Sequence, residues 1–328
     1  MAAPALYLKP VSGLANRLRT IASARVEARR LGRPLQVLWE RDAALNCDYQ
    51  DLLLPPEDFR VHDYCRGVPD RLLPAVRALW PTSRRQAGSA PHAWLRRCLA
   101  PQLPARQQWI SEDLAARFPP FPPSTDYPQH EAATQRAIAE ALAPADPASA
   151  MFVSSCWKIG EAGADYGFVR PVPAIAQAVA AQRATLAGCI GVHIRQGDHA
   201  EAIAHSPVSA FLEAMQARLA KAPGTRFFVA TDSLAAWQHL EAALGERVLR
   251  YAHSNADRNS VAGIQSALAE LLMLSLTTEI WGSHMSSFSY VPGEIGGLTV
   301  RAIRTGATAG RPPGDAGLGS PAGGSAAS

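Results

Sequence analysis

The stretch IGVHIRQGDH, Ile190 to His199, closes an apolar run with His193, Arg195, Gln196, Asp198 and His199. So many polar side chains at the end of a hydrophobic segment mean one of two things. A buried strand breaks out into a solvated loop, or the strand carries a binding site at its tip. Arg195 offers a planar, permanently charged fork that suits phosphate oxygens; the competing reading is a surface ion pair with Asp198 or Glu201. His193, two residues earlier, points to the same side of a strand as Arg195. It reads equally well as a ligand contact or as a buried, hydrogen-bonded histidine. Asp198 is a candidate general base, or a carboxylate that orients Arg195.

Three further segments carry chemistry at strand ends. FFVATDS ends in Thr231, Asp232 and Ser233, and EIWGSHMSSFSYV supplies Ser283, Ser286, Ser287 and Ser289 around Phe288. SGLANR places Gly13, Asn16 and Arg17 at a turn before a helix. Ser286 and Ser287 precede a helix start, so they offer hydroxyls and free N–H groups at the positive end of a dipole, or simple N-capping. Capping is the favoured single role for Asp232, with acceptance from a ribose as the alternative. The Gly13–Asn16 turn either presents backbone amides to an anion or is an ordinary tight turn with Asn16 as cap.

These segments meet only if parallel strands end on a common rim. Leu6–Lys9 reads as a strand, the Gly13 turn leads into a helix stopped by Gly32, and Pro34–Trp39 is the next strand, a βαβ opening. The second half alternates short apolar runs (Ala150–Trp157, Cys189–Arg195, Arg226–Thr231, Arg247–Ala252, Thr278–Gly282) with helical periodicity over Ala174–Thr185, Pro207–Lys221, Leu234–Leu244 and Val261–Leu276. Such alternation predicts an α/β fold with a mainly parallel sheet covered on both faces, and in open sheets of this kind ligands bind beyond the carboxyl ends of the strands. From Asp42 to Pro147 prolines break the pattern, which predicts short helices in ordered loops and one clearer helix at Gln129–Leu142. The expected division is an N-terminal α/β domain with an irregular helical insert (1–147), a second α/β domain (148–305) and a disordered Gly/Ala/Ser/Pro tail (306–328).

Composition narrows the partners. The chain has 328 residues, 48% hydrophobic and 18% charged, with a net charge of only +4 and its arginines scattered, so nucleic acid is not an expected partner. Its five cysteines form no CxxC pair, which argues against a disulfide framework or structural zinc and suits a reducing compartment. The first residues do not read as a signal peptide, and no apolar run reaches the ~20 residues that span a bilayer. A cytoplasmic protein without an integral membrane segment is expected, with peripheral membrane contact left open.

Together these motifs resemble the fucosyltransferase superfamily that makes α1,2-, α1,6- and protein O-linked fucose, and in general appearance the bacterial nodulation-type α1,6 enzymes. The family's Gly-x-x-Asn turn is matched by Gly13–Asn16, its His-x-Arg-(Arg)-Gly-Asp region by His193–Asp198, and its strand ending Thr-Asp by Thr231 and Asp232. Its acid-bearing helix, strand and Ser-Ser/Thr-Phe are matched by Glu270 and by Ser286, Ser287 and Phe288. The resemblance extends over about Leu6 to Val300, with little support between Asp42 and Pro147.

The resemblance implies a GT-B fold, two Rossmann-like domains facing a cleft, with the second domain binding a nucleotide sugar. It further implies an inverting, metal-independent transfer of fucose from GDP-fucose to a glycan hydroxyl, with no cofactor beyond that donor substrate. The donor-binding set it implies is Gly13, Asn16, Arg17, His193, Arg195, Asp232, Glu270, Ser286, Ser287 and Phe288, with Arg195 and Asp198 as the catalytic candidates. In the family the residue matching His193 contacts the guanine. Glu270 lies among Leu268, Leu271, Leu272 and Leu274, where a carboxylate needs a partner; the N1–H and 2-amino donors of guanine supply one, and a helix-surface glutamate is the alternative. Glu40 and Asp42 join Asp198 as possible bases because each follows a strand. Gln196 departs from the pattern, standing where many α1,2 and α1,6 enzymes carry a second arginine. Two other readings therefore stand beside the first: a non-catalytic nucleotide- or glycan-binding module, and a GT-B enzyme using another nucleotide sugar.

Overall fold

Strand β1 (Leu6–Pro10) is buried along its whole length and has a parallel neighbour on each side, β2 (Leu35–Trp39) and β5 (Ala150–Ser155). The computed structural model describes residues 4–63, 65–72, 107–110, 127–142, 150–197 and 199–305. Two further strands, β3 (Arg60–Asp63) and β4 (Gln107–Ile110), complete a parallel sheet in the order β3-β2-β1-β5-β4. A second parallel sheet contains β6 (Ile190–Ile194), β7 (Phe227–Thr231), β8 (Val248–Leu249), β9 (Ile280–Ser283) and β10 (Val300–Ile303), in the order β10-β9-β6-β7-β8. Continuous apolar runs such as LYLKP and FFVAT are what a strand buried on both faces requires.

Helices cover these sheets: α1 (Leu14–Arg30), α2 (Tyr127–Leu142), α3 (Pro173–Leu186), α4 (Ala200–His205), α5 (Val208–Lys221), α6 (Leu234–Leu244), α7 (Val261–Leu274) and α8 (Ser287–Gly296). Local signals account for several boundaries. The Ser233 and Ser260 hydroxyls cap α6 and α7 by accepting from Ala236 and Gly263 N–H, and Gly297, left-handed at φ +63°, ends α8. Helix α8 packs on both α1 and α7. One apolar cluster runs from Leu8 and Leu18 through Val291 to Leu268 and Met273, so the two units share a core. No described helix is long and apolar enough to cross a membrane.

In each sheet the chain leaves a central strand toward one edge and returns on the opposite side. The reversal points lie between β1 and β5 and between β6 and β9. A crevice opens beyond the strand ends at such a point, and here the two crevices face each other.

The structure corrects parts of the sequence reading. The run Ala150–Ser155, expected to open the second domain, pairs with β1 from Leu6↔Met151 to Pro10↔Ser155. The first sheet is therefore incomplete without it, and the division falls after Ser155 rather than at 147. Strands β3, β4 and β10 were not anticipated, and the expected Arg247–Ala252 strand shrinks to Val248–Leu249. The described part of 42–147 holds two single-turn helices, Tyr49–Asp51 and Asp70–Leu72, besides β3, β4 and α2. The remainder of that stretch and the tail expected at 306–328 lie outside the described residues.

Asp63, at the end of β3, illustrates the cost of a partly buried acid. Its Oδ2 accepts from the Tyr49 N–H at 2.9 Å. Burial, followed by the neighbouring Asp48 carboxylate, pushes its pKa up to about 7. A folded-state value above the unfolded value of ~4 favours the protonated form. Its stabilising contribution is complete below the unfolded value and is lost as pH rises to about 7. Asp63→Asn should therefore raise the melting temperature at pH 8 by about 2 °C, corresponding to ~1 kcal/mol once partial solvent exposure is allowed for. A melting curve at pH 8 showing a lower Tm for the variant would refute this account.

Candidate active site

A cleft of about 770 Å³ occupies the space between the two reversal points. Its second-unit wall is organised around Asp232. Arg195 Nη1 donates to Asp232 Oδ2 at 2.5 Å, and the N–H groups of Gln196 and Gly197 donate to the same carboxylate at 2.8 and 3.2 Å. Arg258 Nη2 stands 3.6 Å away. A Cβ at Gly197 would lie 2.8 Å from Asp232 Oδ2, so the turn after β6 reaches this carboxylate because the position is glycine. The expectation that Asp232 caps α6 is thus replaced: Ser233 is the cap, and Asp232 orients Arg195 on the cleft wall. The described carboxylate that Arg195 pairs with is Asp232, not Glu201, which was one of the two partners in the competing surface-pair reading. Asp198 lies outside the described residues.

His193 is buried near the carboxyl end of β6. Its Nδ1 is 2.8 Å from Ser289 Oγ, and its ring stacks on Phe288 with centroids 4.8 Å apart. Ser289 Oγ also lies 3.4 Å from the Ser283 carbonyl, which ties the start of α8 to the end of β9. Burial first, and Arg195 second, drive the His193 pKa down to about 3, so the ring is neutral. This close approach of α8 to β9 depends on Gly282, where a Cβ would sit 2.3 Å from Ser289 Cβ.

Glu270 lines the same cleft from α7 and is 7% exposed. Its Oε1 has no hydrogen-bond partner, and burial raises its pKa to about 7 against the opposing effects of Ser254 and Arg250. Burying a carboxylate oxygen without a donor costs about 1–3 kcal/mol or more, so Glu270 is poised for a ligand that brings donors.

Two helix N-termini open onto the cleft from opposite sides. Ser286 stands at the N-cap of α8 but its hydroxyl makes no capping bond, and Met285 before it is left-handed at φ +54°. The hydroxyls and first-turn N–H groups there, at Ser287 and Phe288, are available to an anion. Across the cleft Gly13 precedes α1 without a side-chain cap, and Asn16 Nδ2 donates to Ser12 Oγ at 2.9 Å.

Arg17 behaves differently from its neighbours. It is fully buried, donates to the Ser12 carbonyl at 2.8 Å and to Asp42 Oδ2 at 2.7 Å, binds the Glu40 carbonyl, and lies over Trp39. Helical spacing turns it into the interior, where it holds the turn rather than meeting a ligand. The same pairing removes two candidate bases: Asp42 is held by Arg17 and by the N–H groups of Ala44 and Leu45, and Glu40 is ion-paired with buried Lys9. Neither lines the cleft.

Of the residues singled out from the sequence, Gly13, Asn16, His193, Arg195, Asp232, Glu270, Ser286, Ser287 and Phe288 line the cleft together. The reading missed Arg258, Arg19, Tyr127, His130 and Trp157, which also line it. Trp157 had a signal, since SSCW ends an apolar strand as HIR does; Arg258 lies in a polar loop with none. Among the described residues no group of three or more His, Cys, Asp or Glu side chains is placed to hold a metal ion.

No family model and no curated protein matches this chain. Solved structures do match. The α1,6-fucosyltransferase NodZ soaked with GDP-fucose aligns with TM-score 0.51 at 16% identity over 88% of this chain and 91% of that one. The structure described as fucosyltransferase NodZ from Bradyrhizobium gives the same TM-score and identity over 88% and 92%. POFUT1 in complex with GDP aligns with TM-score 0.50 at 12% identity over 92% and 98%. At such identities the likeness is one of fold: this chain has the two-unit GT-B architecture of these fucosyltransferases, with its cleft between the paired sheets.

Proposed function

We propose that this protein is a glycosyltransferase that moves fucose from GDP-fucose to a hydroxyl of a glycan acceptor, with inversion and with protein groups alone balancing the leaving charge. The observation that carries the reading is Glu270, a buried carboxylate on the cleft wall whose Oε1 lacks a donor. Guanine presents N1–H and a 2-amino group side by side, which satisfies both oxygens of one carboxylate. NodZ soaked with GDP-fucose and POFUT1 with GDP share the fold, which is consistent with this choice of base.

In the proposed reaction the acceptor oxygen forms a bond to the anomeric carbon while the bond to the β-phosphate oxygen breaks. The electron pair leaves on GDP, and the acceptor proton passes to a general base, the role for which Asp198 is the candidate. Negative charge develops on the diphosphate, and Arg195, Arg258 and the N-terminus of α8 stand ready to neutralise it. Gln196 turns its side-chain amide to the Ser206 carbonyl at 3.1 Å, so the cationic work rests on the two arginines. The partners are a nucleotide sugar and a glycan rather than nucleic acid. A cytoplasmic location is in keeping with Cys47 and Cys189 being free thiols.

Thermal stability tests the donor assignment. GDP at a hundredfold excess over its Kd should add about 2.7 kcal/mol to folding stability, and UDP, which lacks the paired donors, should leave the melting temperature unchanged. No response to any nucleotide would remove the proposal.

A further inference from the structure

The cleft is chemically divided. Its second-unit end carries Arg195, Arg258 and a helix N-terminus, whereas the crevice beyond β1 and β5 is walled by Trp157, Tyr127 and His130. We propose that this aromatic wall is the acceptor subsite, built to stack the C–H face of an uncharged pyranose ring on Trp157 with His130 and Tyr127 beside it. The proposal rests on the transferase reading, because it assigns to the acceptor the part of the cleft that the nucleotide does not need.

Rigidity is the first argument. The Arg19 guanidinium lies over the Trp157 ring at 4.3 Å and is held by the Cys156 carbonyl at 2.9 Å and by Glu131 at 3.1 Å. The His130 ring packs 4.6 Å from Trp157, and Tyr127 stacks on Tyr290 at 4.1 Å with an interplanar angle of 10°. Trp157 remains partly exposed on the wall despite these contacts. An indole pinned from behind and open to a cleft presents apolar area with little ordering cost left to bear.

Charge is the second argument. Beside the aromatic rings, Arg19, which lines the cleft at only 2% exposure, and buried Lys158 are matched by buried Glu131 and exposed Glu294 in a chain of ion pairs: Arg19–Glu131, Lys158–Glu131 at 3.0 Å, and Lys158–Glu294. Two cations and two carboxylates cancel, and burial together with Arg19 lowers the His130 pKa, which keeps that ring neutral. A uronic acid or a phosphate gains nothing at such a surface; an uncharged sugar does. The chain of pairs also ties α2 to the C-terminal half of α8, so the platform is fixed relative to the helix whose N-terminus faces the diphosphate.

Titration of the whole protein with neutral cello-, malto- and chito-oligosaccharides, with and without GDP and followed by tryptophan fluorescence and ligand-observed NMR, tests this. At least one series should bind, a polyuronate of equal length should not, and Trp157→Leu should weaken the binding roughly tenfold or more while GDP affinity stays within about twofold. If Trp157→Leu fails to fold, His130→Ala, which leaves the Arg19–Trp157 stack in place, carries the same expectation. Absence of neutral-sugar binding by the wild type in the presence of GDP, or unchanged binding by the folded variant, overturns the subsite. Sugar binding that depends on Trp157 in a protein that ignores GDP would instead leave the platform standing and remove the donor assignment.

Discussion

Arg195→Lys should lower the turnover of fucosyl transfer by about 10²–10³-fold, the loss typical when one donor to a developing oxyanion is removed, on the order of 3–4 kcal/mol. The guanidinium places Nη1 on Asp232 at 2.5 Å, and its planar geometry carries five N–H donors in a fork that matches phosphate oxygens. A lysine has a single charged nitrogen on a flexible stem and cannot span both. Because the charge on the leaving phosphate grows toward the transition state, the loss should fall on kcat more than on KM. The ion pair with Asp232 is only 18% and 16% exposed, but lysine keeps a cation beside that carboxylate, so melting temperature should change far less than turnover. Initial rates with GDP-fucose, read as donor hydrolysis or transfer, decide the matter; a variant within tenfold of wild type would mean that the phosphate is held elsewhere.

Glu270→Gln should weaken GDP by about 10²-fold, from ~2–3 kcal/mol of charge-assisted hydrogen bonding, because the amide offers one acceptor where the base brings two donors. The pH dependence gives a sharper signature. The folded-state pKa of Glu270, about 7, exceeds its unfolded value of ~4.3. In the free protein its stabilising contribution is therefore complete below the unfolded value and is lost as pH climbs to about 7. Recognition of the guanine donors needs the ionised carboxylate, so GDP affinity should rise as pH passes about 7 and level off above it. In Glu270→Gln that slope should vanish, and the nucleotide-free variant should melt higher than wild type at pH 8. Calorimetric titration with GDP at pH 6, 7 and 8 measures both quantities. A variant that binds GDP as tightly as wild type would place the guanine away from α7.

Much of the frame was legible without coordinates. The apolar runs Leu6–Lys9, Cys189–Arg195 and Arg226–Thr231 became β1, β6 and β7 with shifts of one residue at their ends, and the helix expected at Leu234–Leu244 has those bounds. Where the signal was short or two-sided the reading failed. β3 is a four-residue strand with a half-exposed face, RVHD, and β10 is the equally mixed VRAI. Neither carries the continuous apolar run that identifies a doubly covered strand. The first domain's limit was misplaced for a different reason: sheet membership of Ala150–Ser155 depends on pairing with Leu6–Pro10 across more than a hundred residues, which no local pattern records.

What the sequence by itself determined about this protein is the parallel α/β plan and the strand tips where polar groups gather, because burial on both faces and glycine turns leave marks within a few neighbouring residues. Which arginine faces ligand and which faces the interior was decided only by the tertiary structure. Arg17 and Arg195 both lie just beyond the end of a central strand, yet Asp42 draws the first into the interior and Asp232 holds the second on the cleft wall. The reason is electrostatic: a partly desolvated charge must be paired, and its partner is whichever carboxylate the fold brings within about 3 Å, however far away it lies along the chain.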